Sequence, residues 1–330
     1  MQDFKYLIDK ILESPIKQEP FPHIYIEDFF TEDHFNEIIS SPEVNIKPSS
    51  ADQDIFTNLF AQGYKIIDFP GCIIDQDQYI AWHADPAKSS QMHSSTEGHG
   101  MTLRLMEPRS STLIDIKNFI ESDLFSKSIA MKFNVSSEDV YSDNGVQKYL
   151  DGYEISPHPD VRKKALTYMV NINPHKNSND LIHHTHYLSL KDEYKYVQSF
   201  WKGNVDYERC WVPWDWCDVR FTQNKNNSLV MFSPCDSSIH AVKADYNHLP
   251  SQRTQLYGNL WYAQSNALHK LEWENLLITG ADKLSFNASS YGFGLKNLVP
   301  SSIKRAIKRV LGKSNIDNYA DVKNKPDDYI

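Results

Sequence analysis

From Phe21 to Phe30 the sequence FPHIYIEDFF alternates apolar and polar positions, the period-two pattern of a half-buried strand. TEDHFNEIISS then changes to helical spacing behind a capping Thr31, so a strand feeding a helix opens the fold. Across residues 48–100, SSADQD and AKSSQMHSSTEGHG are polar and loop-like around one apolar stretch, YKIIDFPGCII, and predict an insertion or lid. In LIDIKNFIESDLFSKSIAMKF, Leu113, Ile116, Ile120 and Leu124 fall on one side at helical spacing and predict a helix ahead of the main sheet.

From about Val146 the pattern changes. The short β-rich runs YEISP, ALTYMVNIN, THYLSL, CDVRFT, SLVMFSP and TQLYGNLWY are separated by clusters of Asn, Asp, Gly, Pro and Ser. Many short strands with turns between them predict a sandwich or jelly roll. Beyond Ala263 the β pattern gives way to helical and loop segments and a polar tail, YADVKNKPDDYI. The expected organisation is an α+β, mainly β domain over residues 1–265, with its jelly roll at about 146–262 and helices buttressing it from the N-terminal side. A helical C-terminal extension with a mobile tail follows over 266–330.

Composition narrows the class. With 40% hydrophobic and 23% charged residues, a chain of 330 can bury a sizeable core as one large soluble domain. A formal charge of −9 argues against wholesale nucleic-acid binding, which needs a basic face. No run approaches the ~18 consecutive apolar residues of a membrane span, and the opening MQDFKYLIDKILESP lacks the apolar core of a signal peptide or anchor. Cys72, Cys210, Cys217 and Cys235 show no CxxC spacing, which reads as reduced thiols in a cytoplasmic protein. PSSIKRAIKRVLGK sets Ile303, Ile307, Val310 and Leu311 against Lys304, Arg305, Lys308 and Arg309. Such a helix over 301–313 can lie on an anionic membrane surface, although packing on its own protein is the commoner use.

The candidate chemistry is a metal site. His-x-Asp in an extended segment puts two ligands on one side of the chain, and one more His from another strand completes three on one face of a metal. The pattern occurs twice, at His83-Ala84-Asp85 and His158-Pro159-Asp160. The first leads into a polar loop, whereas the second lies between strand-like runs and is the preferred site. SLVMFSPCDSSIHAV then presents His240, and Arg253 opens the run TQLYGNLWY with a guanidinium suited to a carboxylate. HHTH, at 183–186, invites a second metal reading but reads better as a solvated or substrate-facing strand. Trp211, Trp214 and Trp216 are expected mainly to pack a loop.

FPHIYIEDFF, YLDGYEISPHPD, ALTYMVNIN and NNSLVMFSPCDSSIHAV followed by RTQLYGNLWY together resemble the Fe(II)/2-oxoglutarate-dependent dioxygenases, in their prolyl 4-hydroxylase-like branch, from about Glu19 to Tyr262. The resemblance implies a double-stranded β-helix, a cupin-like jelly-roll barrel, with Fe(II) held by His158, Asp160 and His240. It also implies that Arg253 binds the distal carboxylate of 2-oxoglutarate, with Tyr149 and Asn171 facing this cosubstrate. The implied activity uses O2 to hydroxylate a C–H bond of a peptidyl or small-molecule prime substrate, releasing succinate and CO2. Asp160 argues against the halogenating relatives, which lack that carboxylate. A non-catalytic jelly-roll module that only binds a ligand or metal is the alternative. The chain departs from the family in a long interval between His240 and Arg253 and in an aromatic insertion, FWKGNVDYERCWVPWDW.

Overall fold

The computed structural model describes residues 3–49, 51–69, 71–88, 100–138, 140–175, 177–204, 210–244 and 253–263. All fall within one unit, Met1–Glu272. The basic stretch 301–313, the polar tail and most of the interval between His240 and Arg253 lie outside the described residues.

The helices are α1 (Tyr6–Glu13), α2 (Glu32–Ser40), α3 (Asp52–Ala61), α4 (Gln76–Ala84), α5 (Ser111–Ile120), α6 (Asp123–Lys132) and α7 (Tyr196–Gly203). Thr31 begins α2 as its spacing predicts, its side chain accepting from the His34 amide. Two expectations need correction. The stretch 48–100 is not simply a loop: α3 buries Ile55, Phe56 and Leu59, and α4, capped by Asp75, buries Tyr79. Their short apolar faces are diluted by polar flanks, which hides them in the sequence. The single helix expected through Leu124 is two, because the Ser122 hydroxyl accepts from the Phe125 amide and starts α6, leaving Leu124 exposed.

The strands are β1 (His23–Ile26), β2 (Tyr64–Ile66), β3 (Thr102–Leu105), β4 (Val140–Tyr149), β5 (Ile155–His158), β6 (Lys164–Asn171), β7 (Thr185–Leu190), β8 (Cys217–Thr222), β9 (Leu229–Phe232), β10 (His240–Val242) and β11 (Arg253–Tyr262). They form two antiparallel sheets, one of seven strands ordered β1-β9-β6-β11-β4-β3-β2 and one of four ordered β5-β10-β7-β8. From β4 onward the chain passes back and forth between the sheets, an arrangement consistent with a jelly roll.

Alternate residues of β6 and β11 sort to opposite faces. Leu166, Tyr168, Val170, Leu256 and Leu260 join the helices in the main core. Met169 and Tyr257 face the smaller sheet and, with Val230 and Phe232 of β9, pack against its Tyr187. Gly258 lets the Tyr168 ring cross β11, since a Cβ there would lie 2.0 Å from Tyr168 Cζ. A further apolar cluster joins Leu188 and Ala241 of the smaller sheet, and Ile239 just ahead of β10, to Val197 of α7 and to Trp201 and Val212 of the aromatic insertion. Among the described residues no helix is long and apolar enough to cross a membrane.

Candidate functional site

β5 and β10 pair antiparallel with His240 directly opposite His158. Facing residues in such a pair have Cβ atoms about 5 Å apart, and the two imidazole centroids are 4.5 Å apart. Asp160 follows His158 by two residues and points to the same side, with Oδ2 4.0 Å from His240 Nε2. One ligand atom from each residue lies within 4.8 Å of the others. Each imidazole is aimed by its own chain: His158 Nδ1 donates to the Ser156 carbonyl at 2.8 Å, and His240 Nδ1 to the Ser238 carbonyl at 2.9 Å. Both Nε2 lone pairs are therefore left for a metal. Burial above all, then the facing His240, pushes His158 down to about 3, and burial lowers His240 as well. Both are neutral, as metal ligation requires.

Asp160 is held at both oxygens. Lys164 Nζ donates to Oδ1 at 2.7 Å and Thr167 Oγ1 to Oδ2 at 2.6 Å. Burial alone would raise its pKa, but the charge and hydrogen bond of Lys164 lead the effects that outweigh burial and hold the carboxyl well below the usual range. Neither Lys164 nor Thr167 was singled out from the sequence. Lys164, four residues after Asp160, offered a spacing signal, whereas Thr167 depends on the turn that brings β6 back under the motif.

Arg253 opens β11, paired with Tyr149 of β4. It is 3% exposed, its guanidinium lying 4.3 Å above the Tyr149 ring. Nη2 donates to Thr185 Oγ1 at 2.9 Å and Gln255 Oε1 at 3.1 Å, while Nε and Nη1 are buried with no hydrogen-bond partner. A buried cation with two unused donors is costly by itself and suits an incoming carboxylate. Asn171 stands one step behind: its Oδ1 accepts from Gln255 Nε2, and its Nδ2 donates to the Gln223 and Lys225 carbonyls. Lys243, the other basic residue near His240, lies over the Trp214 ring.

Arg253, Gln255, Tyr257, Asn259 and Trp261 alternate along one face of β11. That face carries Arg253 at one end and at the other joins a cavity of about 540 Å³ reached by His158, Asp160 and Lys164. Trp211 lines this cavity, while Trp214 and Trp216 pack in the insertion. Of the solvated or substrate-facing strand expected for HHTH, the solvated reading does not hold. β7 begins at Thr185, and His184 is buried with Nε2 2.6 Å from the Ser178 carbonyl.

The other His-x-Asp motif sits at the end of α4. His83 Nδ1 is 2.6 Å from Asp52 Oδ2 and Nε2 is 3.0 Å from Asp151 Oδ2. Burial opposes its charge, but the two carboxylates prevail and raise it to about 9. All four cysteines are free thiols.

No protein-family model matches the chain, and no curated protein does so. Solved structures similar to it are prolyl hydroxylases and other 2-oxoglutarate–Fe(II) oxygenases. One is a prolyl hydroxylase from Trichoplax adhaerens in complex with a hypoxia inducible factor oxygen degradation domain peptide fragment, at 12% identity and a TM-score of 0.42, covering 82% of this chain and 98% of that one. A Pseudomonas putida prolyl-4-hydroxylase matches at 8% identity and a TM-score of 0.40, covering 78% and 97%. EctD from S. alaskensis with 2-oxoglutarate and 5-hydroxyectoine matches at 13% identity and a TM-score of 0.27, covering 78% and 89%.

Proposed function

We propose that this protein is an Fe(II)- and 2-oxoglutarate-dependent dioxygenase that hydroxylates a C–H bond of a peptidyl or small-molecule substrate in the cytoplasm. Its two sheets are read as a double-stranded β-helix. The observation that carries the proposal is the pairing of a two-imidazole, one-carboxylate set with a buried guanidinium that has two unused donors. The first suits Fe(II) with open positions; the second suits the far carboxylate of the cosubstrate.

When bound, the iron and 2-oxoglutarate supply the oxidation: O2 is consumed, 2-oxoglutarate becomes succinate and CO2, and the remaining oxygen atom enters the substrate. The residues of this chain do the positioning. The Ser156 and Ser238 carbonyls fix the tautomer and direction of the two imidazoles. Lys164 and Thr167 keep Asp160 ionised and oriented. Arg253 would hold the distal carboxylate through Nε and Nη1, while Thr185 and Gln255, the latter backed by Asn171, keep the guanidinium in place over Tyr149. Tyr187 and Phe232 wall His240 from water, their ring centroids 6.4 and 5.2 Å from its own.

The test is conversion of 2-oxoglutarate to succinate in air with Fe(II) added. Catalytic succinate formation that stops on Asp160→Ala is expected. Binding of 2-oxoglutarate without turnover would return the non-catalytic module.

A further inference from the structure

The cavity beside His158 and Asp160 has aromatic walls, to which Phe69, Trp211, Tyr257 and Trp261 contribute. Trp211 comes from the insertion, and that insertion is fastened on both sides of the ligand motif. The Val212 amide donates to the Pro157 carbonyl at 2.8 Å, and Arg162 Nη2 donates to the Trp201 carbonyl. Trp211 is thus held in a built wall of the site.

Charge then distinguishes what the cavity accepts. A divalent ion and Arg253 bring three positive charges to the loaded centre, and Asp160 with a dianionic cosubstrate brings three negative ones. Lys164 is surplus. It is 9% exposed and lines the cavity, with Nζ 3.0 Å from Tyr257 Oη and 5.5 Å from the Trp261 ring centroid. Arg104 is neutralised by Asp143 at 2.5 Å, and the lining residues Asp68 and Lys163 are one of each sign. Lys164 stays on Asp160 Oδ1 at 2.7 Å, but that carboxylate is then shared with the metal, so the loaded site carries one positive charge in excess and suits one more anion.

We infer that the prime substrate is an organic monoanion, a carboxylate on a flat apolar body, whose acid group pairs with Lys164 and whose body lies against Trp211, Tyr257 and Trp261. This rests on the oxygenase reading of the same site. Calorimetric titration tests it with Mn(II) in place of iron, 2-oxoglutarate saturating, and phenylacetate and 4-phenylbutyrate as probes, each against its primary amide. The acids should bind about ten- to a hundredfold more tightly than the amides, the range of one charge-assisted contact. Lys164→Gln should bring acid affinity down to that of the amide, and Lys164→Arg should retain the preference. Trp211→Leu should weaken acid and amide together. Equal binding of acid and amide by the unaltered protein would overturn the inference alone, and that comparison needs no variant to fold. Failure of 2-oxoglutarate to bind the Mn(II)-loaded protein would overturn the oxygenase reading and this inference with it.

Discussion

The chain contains the same three-residue pattern twice, and its two copies do opposite things with their histidines. His158 ends a strand, gives one nitrogen to a carbonyl and leaves the other open beside Asp160 and His240. His83 ends a helix, and both of its nitrogens are engaged by carboxylates, from Asp52 on α3 and from Asp151 ahead of β5. Asp85 belongs to neither contact and instead accepts from the Ala87 amide at 2.8 Å. A His-x-Asp spacing therefore brings its two side chains to one side only where the backbone is extended. In a helix end the two side chains diverge, and the imidazole becomes a cationic bolt between elements. Gly152, next to Asp151, has φ +73°, and a Cβ there would meet the Trp82 ring at 2.2 Å, so the bolted contact needs glycine.

The widest separation between the two motifs should appear in metal binding. His158→Ala, Asp160→Ala and His240→Ala should each lose Fe(II) or Mn(II) binding in calorimetry, while His83→Ala keeps it. Loss on His83→Ala alone would reverse the comparison. Stability should separate them next. The folded pKa of His83, about 9, lies above the ordinary value of ~6.5, so its stabilisation is fully present below pH ~6.5 and is lost as pH rises through about 9. His83→Gln should cost roughly 3 kcal/mol in denaturant unfolding at mildly acid pH, and the difference from the unaltered protein should vanish in alkali. A pH-independent difference would remove the charge from the account.

Smaller effects sharpen the ligand side. Arg253→Ala should weaken 2-oxoglutarate binding about ten- to a hundredfold and leave metal affinity unchanged. Lysine should recover only part, keeping the charge without the fork. Unchanged cosubstrate binding would move the clamp elsewhere. Thr167→Val should lower metal affinity by about tenfold, since it removes only the hydroxyl that orients Asp160. No change there would mean that Lys164 suffices.

Residues joined by short-range rules were legible before the fold was known. Thr31 caps α2, and His158 with Asp160 announces itself through period-two geometry. What sequence reading missed was brought in by register. Thr185 reaches Arg253 because β7 lies in the opposite sheet, and Gln255 touches the guanidinium directly, leaving Asn171, which the sequence did offer, one step behind as its partner across β6 and β11. The helices α3 and α4 were hidden by polar neighbours, although tertiary burial of Phe56 and Tyr79 anchors them. Trp211 was indistinguishable from Trp214 and Trp216 until the Val212–Pro157 bond fixed which of the three faced the cavity.

That bond has a kinetic consequence. β5 is the edge strand of its sheet, held by β10 on one side and by the insertion on the other. Its fraying needs far less of the molecule to open than global unfolding does, because only one short pairing and the Val212 contact must part. For the metal site proposed above, the lifetime of the ion on His158 is expected to follow this local opening, so that exchange of the Ile155, Ser156 and His158 amides keeps time with metal loss while the large sheet stays closed.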